Sequence, residues 1–378
     1  MNPRSRKSAR SFSACSLVNG CVYEFTKCLA LNTPSSRAKS RDPIAQPGRL
    51  NSKRTISFRR ALSTWFHKSQ RDLPWRQSRD PYAILVSEIM LQQTQAATVV
   101  PYYNRWLRRF PTIRSLATTT ESDVLHAWQG LGYYTRARNL HRCAKLIVEK
   151  FGGRLPKDPN ELKSLPGIGL YTANAIALFA FDQSLPIVEA NTARVLSRLF
   201  NIRAPIDSTS GRQKLWDASA KLVPQEGARD FQNAMMDLGA LICTAHNPRC
   251  QICPAKMCCR ARDPASLPRK RGRAAIVRLT ESHGLSTKAG AVLLEQCRQR
   301  WHGMWILPPR KLDGIKPSSS RGPVYVSAFP FTHHRVTLQV FRSKAGPAVS
   351  RQRWFPIRHL NKIPMPSPHR RAIRALLA

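Results

Sequence analysis

The sequence predicts a multidomain α+β protein, helical over residues 53–262 and strand-bearing in a smaller region over 275–378. Three observations predict it. Apolar residues recur at helical spacing through the first region, as in Leu140, Ala144, Ile147 and Phe151, which form one stripe of a helix ended by Gly152-Gly153. Short β-rich runs dominate the second, among them Ala291-Val-Leu-Leu294, Val324-Tyr-Val326 and Val336-Thr-Leu-Gln-Val-Phe341. Between them Pro268-Arg-Lys-Arg-Gly-Arg273, within a basic stretch at 263–274, reads as a linker.

Residues 1–52 are rich in Ser, Arg and Pro, hold only Glu24 and Asp42 as acids and show no sustained period, so a disordered basic arm is expected. The same composition resembles an organelle transit peptide, though without a clear amphipathic helix; a DNA-associated location in bacterial cytoplasm is the main expectation, organelle targeting the minor one. No apolar run approaches membrane-spanning length.

Charge bounds the partner. The chain carries 62 Lys and Arg against 21 Asp and Glu, a formal net charge of +41, and such a field fits nucleic acid. Scattered charge serves solubility equally well, and charge alone gives no base specificity.

Cys243, Cys250, Cys253 and Cys259 stand in a C-x6-C-x2-C-x5-C run. Four thiolates so close in sequence suit a [4Fe-4S] cluster; structural zinc is the competitor, although its ligands more often form two pairs separated by a longer finger. Cys258 is an alternative fourth ligand that shortens the last gap. This spacing argues for a reducing compartment rather than a disulfide framework.

Leu165-Pro-Gly-Ile-Gly-Leu-Tyr171 supplies a tight turn: Gly167 and Gly169 leave backbone N–H groups free at a helix start, where a phosphate can be held. Alone, it would also fit an ordinary corner between helices. Together with the downstream cysteines it resembles the helix-hairpin-helix DNA glycosylases of the endonuclease III superfamily, and most of all their adenine-removing MutY family. Ser87-Glu-Ile-Met-Leu-Gln-Gln-Thr-Gln95 carries that likeness, with Leu73-Pro-Trp-Arg76, Gly130-Leu-Gly-Tyr-Tyr-Thr-Arg-Ala-Arg-Asn-Leu140 and Met235-Met-Asp-Leu-Gly-Ala-Leu-Ile-Cys243, from about Ser57 to the C-terminus.

The resemblance implies an all-α glycosylase core with an iron-sulfur loop, then a small α/β Nudix-like domain. It implies a monomeric, monofunctional enzyme that flips adenine mispaired with 8-oxoguanine or guanine out of double-stranded DNA. Neutral adenine leaves poorly, so an acid must protonate it while a carboxylate stabilises the cationic sugar. Glu88 matches the acid; its neighbourhood from Ile84 to Leu91 is apolar and favours the protonated form, although a lone Glu is more often a solvated helix acid. The second acid departs from the family pattern: Ile187-Val-Glu-Ala-Asn191 places Glu189 where the family has Asp. One added methylene moves a carboxylate by roughly 1 Å, and such misplacement costs about a hundredfold in rate if uncompensated. A lesion-binding protein with weakened catalysis is therefore the alternative; thymine or uracil removal fits less well.

Tyr171 stands where strand-cleaving relatives place Lys, and a phenol forms no imine with the sugar. Gln93 and Tyr133 match residues that wedge into the base stack, and Trp75, Arg76, Asn233 and Asp237 match positions around the flipped adenine, with Asn233 where the family usually has Gln. Singly, the aromatics would more often be core residues. Gly303-Met-Trp305 and Phe331-Thr332-His333 match features of the lesion-reading domain, the latter approaching 8-oxoguanine. Residues 310–322 offer no metal-binding acid beyond Asp313, so recognition without pyrophosphate hydrolysis is expected.

Overall fold

The computed structural model describes residues 52–272, 275–310 and 322–377. The expected basic arm, the end of the linker at 273–274 and the segment around Asp313 lie outside them. Every described residue belongs to one unit by chain contacts.

Two helices are apolar all round and therefore central. Helix α3 (Pro81–Leu91) follows α1 (Ser52–Ser69) and the single turn α2 (Pro74–Gln77). It starts at Asp80, whose carboxylate accepts from the amides of Tyr82 and Ala83, and every residue from Tyr82 to Met90 is buried. Its partner α9 (Leu170–Phe181) is buried from Thr172 to Phe179 and packs directly against it. Around this pair run α4 (Ala96–Arg109), α5 (Ile113–Thr118), α6 (Glu121–Ala127), α7 (Thr135–Phe151), α8 (Pro159–Lys163), α10 (Ala190–Leu199), α11 (Thr209–Leu222) and α12 (Ala228–Asp237). The expected stripe is the inner face of α7: Leu140, Ala144 and Ile147 are fully buried, and Gly152 ends the helix in the left-handed region.

In the hairpin turn, Gly167 has φ +80°, and a Cβ there would stand 2.7 Å from that of Asn139, so glycine is required. Gly169 is extended, caps α9 and faces open space, leaving its backbone approachable. One π-helical turn, Leu238–Ile242, joins α12 to the cysteine loop.

The C-terminal region is a mixed α/β arrangement of two sheets. β1 (Val277–Leu285) runs parallel to β6 (His334–Arg342), which pairs antiparallel with β5 (Tyr325–Phe331). In the second sheet β3 (Ala291–Gln296) pairs antiparallel with β2 (Thr287–Lys288), β4 (Trp305–Ile306) and β7 (Gln352–Pro356). The three strand runs expected from sequence are β3, β5 and β6; β1, β7 and the final helix α13 (Ser367–Leu377) add to them. The region is joined to the helices by side chains: Gln129 donates to Met365 O (2.9 Å), the His126 ring meets Asn361 O (2.7 Å), and Gly303 sits against Glu121 and Arg138.

Candidate functional site

The packing of α3 on α9 brings Glu88 and Tyr171 together. Glu88 is 6% exposed; burial pushes its carboxyl up to about 7, moderated by the hydrogen bond from Tyr171 and reinforced by the negative field of Glu189. Burial, the two carboxylates and that same hydrogen bond push the Tyr171 phenol well above its ordinary range, so it stays a donor. An acid poised near neutrality beside a second carboxyl, each in a different environment, is the arrangement general acid catalysis needs.

Glu189 is the N-cap of α10. Its two carboxylate oxygens accept from Asn191 N (2.7 Å) and Thr192 N (2.8 Å), while the Thr192 hydroxyl accepts from Glu189 N (2.8 Å). Burial raises its carboxyl more than these amides, Arg194 and Arg71 lower it. The extra methylene is thus taken up by folding the side chain back onto the helix terminus, where two amides fix the carboxylate.

Asp237 is fully buried and is linked to this group by Arg71, which bonds it and also acts on Glu189. Arg76 grips Asp237 through two nitrogens, both at 2.8 Å, and Arg71 adds a side-chain bond at 2.6 Å and a backbone bond at 3.1 Å. Burial opposes its charge, but Arg76 and Arg71 outweigh that and hold it below the usual carboxylate range. Asp237 therefore fixes Arg76 and Arg71 in place. Trp75 lies edge-on to Tyr103 at 5.5 Å, and Asn233 is buried on α12 one turn before Asp237.

Gln93 and Tyr133 are exposed and both adopt left-handed backbone, with φ of +57° and +48°. Such conformations are disfavoured for residues with a Cβ and concentrate at functional turns. Phe331, Thr332 and His333 form a separate group at the β5–β6 turn: Arg300 lies over the Phe331 ring at 4.4 Å, Thr332 has φ +53°, and His333 stacks on His334 at 3.9 Å.

The cysteine loop follows the π turn. Cys243, Cys250 and Cys259 each raise the cost of ionising Cys253, which burial already pushes up, to about 11, so the four thiols share one electrostatic neighbourhood. Among the described residues no three His, Cys, Asp or Glu donors converge tightly enough for a single metal ion. Cys258 is buried and points to Arg54 O at 3.7 Å. Arg194 donates to Cys243 O (2.8 Å) and Gly239 O (2.7 Å), and Arg198 reaches Cys243 Sγ (3.3 Å), tying the loop to α10.

Sequence reasoning missed Arg71, Arg136 and Arg194. Arg136 lies inside the Gly130–Leu140 motif, whereas Arg71 lies two residues before Leu73-Pro-Trp-Arg76 and Arg194 three residues after Ile187–Asn191. Their signal was closeness to those motifs, which spacing alone does not rank.

A buried acid beside a capped carboxylate on a helical hairpin scaffold is an arrangement suited to acid-assisted bond cleavage. Residues 86–221 match the model of the HhH-GPD superfamily base excision DNA repair protein. The chain is 43% identical over 217 residues to an adenine DNA glycosylase of Mycobacterium tuberculosis, covering 56% of this chain and 71% of that protein. It is 44% identical to adenine DNA glycosylases of Rattus norvegicus and Homo sapiens over 54% of its length, and spans only 42% and 39% of theirs. A solved structure of a thermostable thymine-DNA glycosylase superposes with a TM-score of 0.51 at 31% identity, over 55% of this chain and 95% of the other. The chain belongs to the adenine DNA glycosylase family of the HhH-GPD superfamily.

Proposed function

We propose that the chain is a monofunctional DNA glycosylase that removes adenine mispaired with 8-oxoguanine or guanine from duplex DNA. The observation that carries this reading is Glu88: a buried carboxyl raised to about 7, hydrogen-bonded by Tyr171 and facing Glu189. Relatives named adenine DNA glycosylase, at 43–44% identity, support the choice of base over the more distant thymine-DNA glycosylase.

The chemistry follows from the arrangement. Glu88 gives its proton to N7 of the extruded adenine as the bond between N9 and C1′ breaks, so the base leaves neutral. The sugar becomes an oxocarbenium-like cation, which the Glu189 carboxylate, fixed by two amides, stabilises from an unchanging position. Water adds at C1′ and passes its proton to the Glu88 carboxylate, resetting it. Tyr171 holds Glu88 and offers no amine, so the sugar ends as an abasic site with an intact strand.

Backbone amides at the Gly167–Gly169 turn would hold a phosphate, Gln93 and Tyr133 would enter the stack, and Trp75 with Asn233 would border the flipped base. The Phe331-Thr332-His333 turn would read 8-oxoguanine in a Nudix-like domain. Cys243, Cys250, Cys253 and Cys259 fit a [4Fe-4S] cluster: four thiols close in sequence share one electrostatic neighbourhood. Bound there, the cluster would cross-link the loop and supply no bond-breaking chemistry.

The test is single-turnover adenine release from a duplex holding adenine opposite 8-oxoguanine. Release is expected, with strand breakage only after alkali. Tight binding without release would leave a lesion-binding protein, and breakage without alkali would mean that an amine elsewhere attacks the sugar.

A further inference from the structure

We propose that Arg136 is a positioning residue that locks the Gln93 and Tyr133 turns into one rigid wedge for base extrusion. This rests on the reading of those two side chains as the groups that enter the stack.

Arg136 is 7% exposed, at the start of α7. Its Nη1 donates to the carbonyls of Ile89 (3.1 Å), Met90 (2.7 Å) and Gln92 (2.5 Å), at the end of α3 and just before Gln93. Its Nη2 donates to Thr94 Oγ1 (3.1 Å), just after Gln93, and to the carbonyls of Leu131 (3.1 Å) and Gly132 (3.2 Å), just before Tyr133. The guanidinium carbon lies 5.4 Å from the Tyr133 ring centroid and 5.3 Å from that of Trp128. One planar cation therefore grips both turns, and stacks against one of the two side chains they present.

Two non-glycine residues in left-handed backbone persist only where the surroundings over-determine them. Arg136 supplies that constraint. Its bonds satisfy carbonyls left without helical partners at the end of α3, and its fork spans two loops at once. A lysine ammonium, whose donors radiate from one nitrogen, cannot bridge the same set of acceptors. The partners of Arg136 are carbonyls, one hydroxyl and two ring faces, so the cation is spent on backbone geometry. Separate, loosely held turns would yield to the stacked bases, whereas a joined pair enters as a unit.

The experiment compares natural protein with Arg136→Lys and Thr94→Val on two duplexes. In one the target adenine is paired with 8-oxoguanine; in the other it sits in a single-nucleotide bulge, where extrusion is already easy. Arg136→Lys should slow release from the paired duplex about tenfold or more, and from the bulge by no more than about threefold, since misplacing a positioned group by about 1 Å has effects of this size. Thr94→Val, which removes one bond only, should shift the paired rate alone by about threefold. Fluorescence of 2-aminopurine beside the target should show a matching fall in extrusion. Equal losses on both duplexes, or an unchanged paired rate and unchanged extrusion with Thr94→Val, would overturn the proposal. If the natural protein releases no adenine from either duplex, the glycosylase reading fails instead, and the extrusion signal alone decides for or against Arg136.

Discussion

Glu88→Gln should abolish adenine release and at the same time make the protein more stable, by an amount that grows with pH. The carboxyl is raised from its ordinary 4.5 to about 7, chiefly by burial, so the folded state holds a proton that the unfolded chain gives up more readily. Below pH 4.5 both states are protonated and burial of the neutral acid is tolerated. Between 4.5 and 7 the unfolded chain ionises first, unfolding gains free energy, and the contribution of Glu88 to stability is lost. Above 7 the loss is complete at about 3 kcal/mol. An amide has no such titration and still accepts the Tyr171 hydrogen bond, at a penalty of roughly 1 kcal/mol against a charged or acidic acceptor. The net gain at pH 8 is about 2 kcal/mol, roughly 2–3 °C in melting temperature for a chain of this size.

The assay is thermal or urea unfolding of natural protein and Glu88→Gln at pH 5 and pH 8, beside single-turnover release. The two proteins should unfold together at pH 5 and separate at pH 8, with the variant the more stable. A variant less stable than the natural protein at pH 8 would show that Glu88 is not a desolvated acid, and the proton-donor argument would fall with it. Natural release should also decline as pH rises through about 7, where the acid loses its proton.

Glu189→Asp should change the release rate less than about tenfold, because the amides of Asn191 and Thr192 can hold either carboxylate at the α10 terminus; a hundredfold change in single-turnover rate would show that side-chain length sets the geometry. Asp237→Asn should lower unfolding stability by about 3 kcal/mol, since it leaves Arg71 and Arg76 facing a neutral group in a buried pocket; a loss below about 1 kcal/mol by denaturant titration would contradict the tight pairing. Cys258→Ser should leave about four irons per chain, as its thiol turns toward Arg54 O, whereas Cys253→Ser should lower the iron content by colorimetric assay; the reverse pattern would exchange the fourth ligand.

What sequence made legible was whatever a short segment carries by itself. Gly167 is required by a local positive φ, α7 by its own stripe, and Glu88 by an apolar run that became the fully buried helix α3. Meetings between distant segments were not legible. Strand β1, with Arg278, Thr280, Glu281 and His283 in its run, forms through a parallel pairing with β6 more than fifty residues away, and no local pattern announces it. The contact of Asp237 with Arg71 and Arg76, and that of Arg136 with two turns, are likewise tertiary facts. The α10 cap that holds the Glu189 carboxylate is also not readable from side-chain length.

The chain has so many cations that no single arginine stands out in the sequence. Read as a surface field, +41 counts every cation as available to phosphate. Arg136, Arg198 and Arg229 are less than a tenth exposed, and each is consumed by carbonyls: Arg198 by those of Cys243, Thr244 and Pro264, Arg229 by those of Phe179, Arg76 and Ser78. Counterion release depends only on cations that reach the nucleic acid. The salt dependence expected of nucleic-acid binding would therefore measure the exposed cations, while the buried arginines hold carbonyls at the junctions where the helices, the cysteine loop and the two strained turns meet. The same residue type thus does two jobs here, and burial rather than charge separates them.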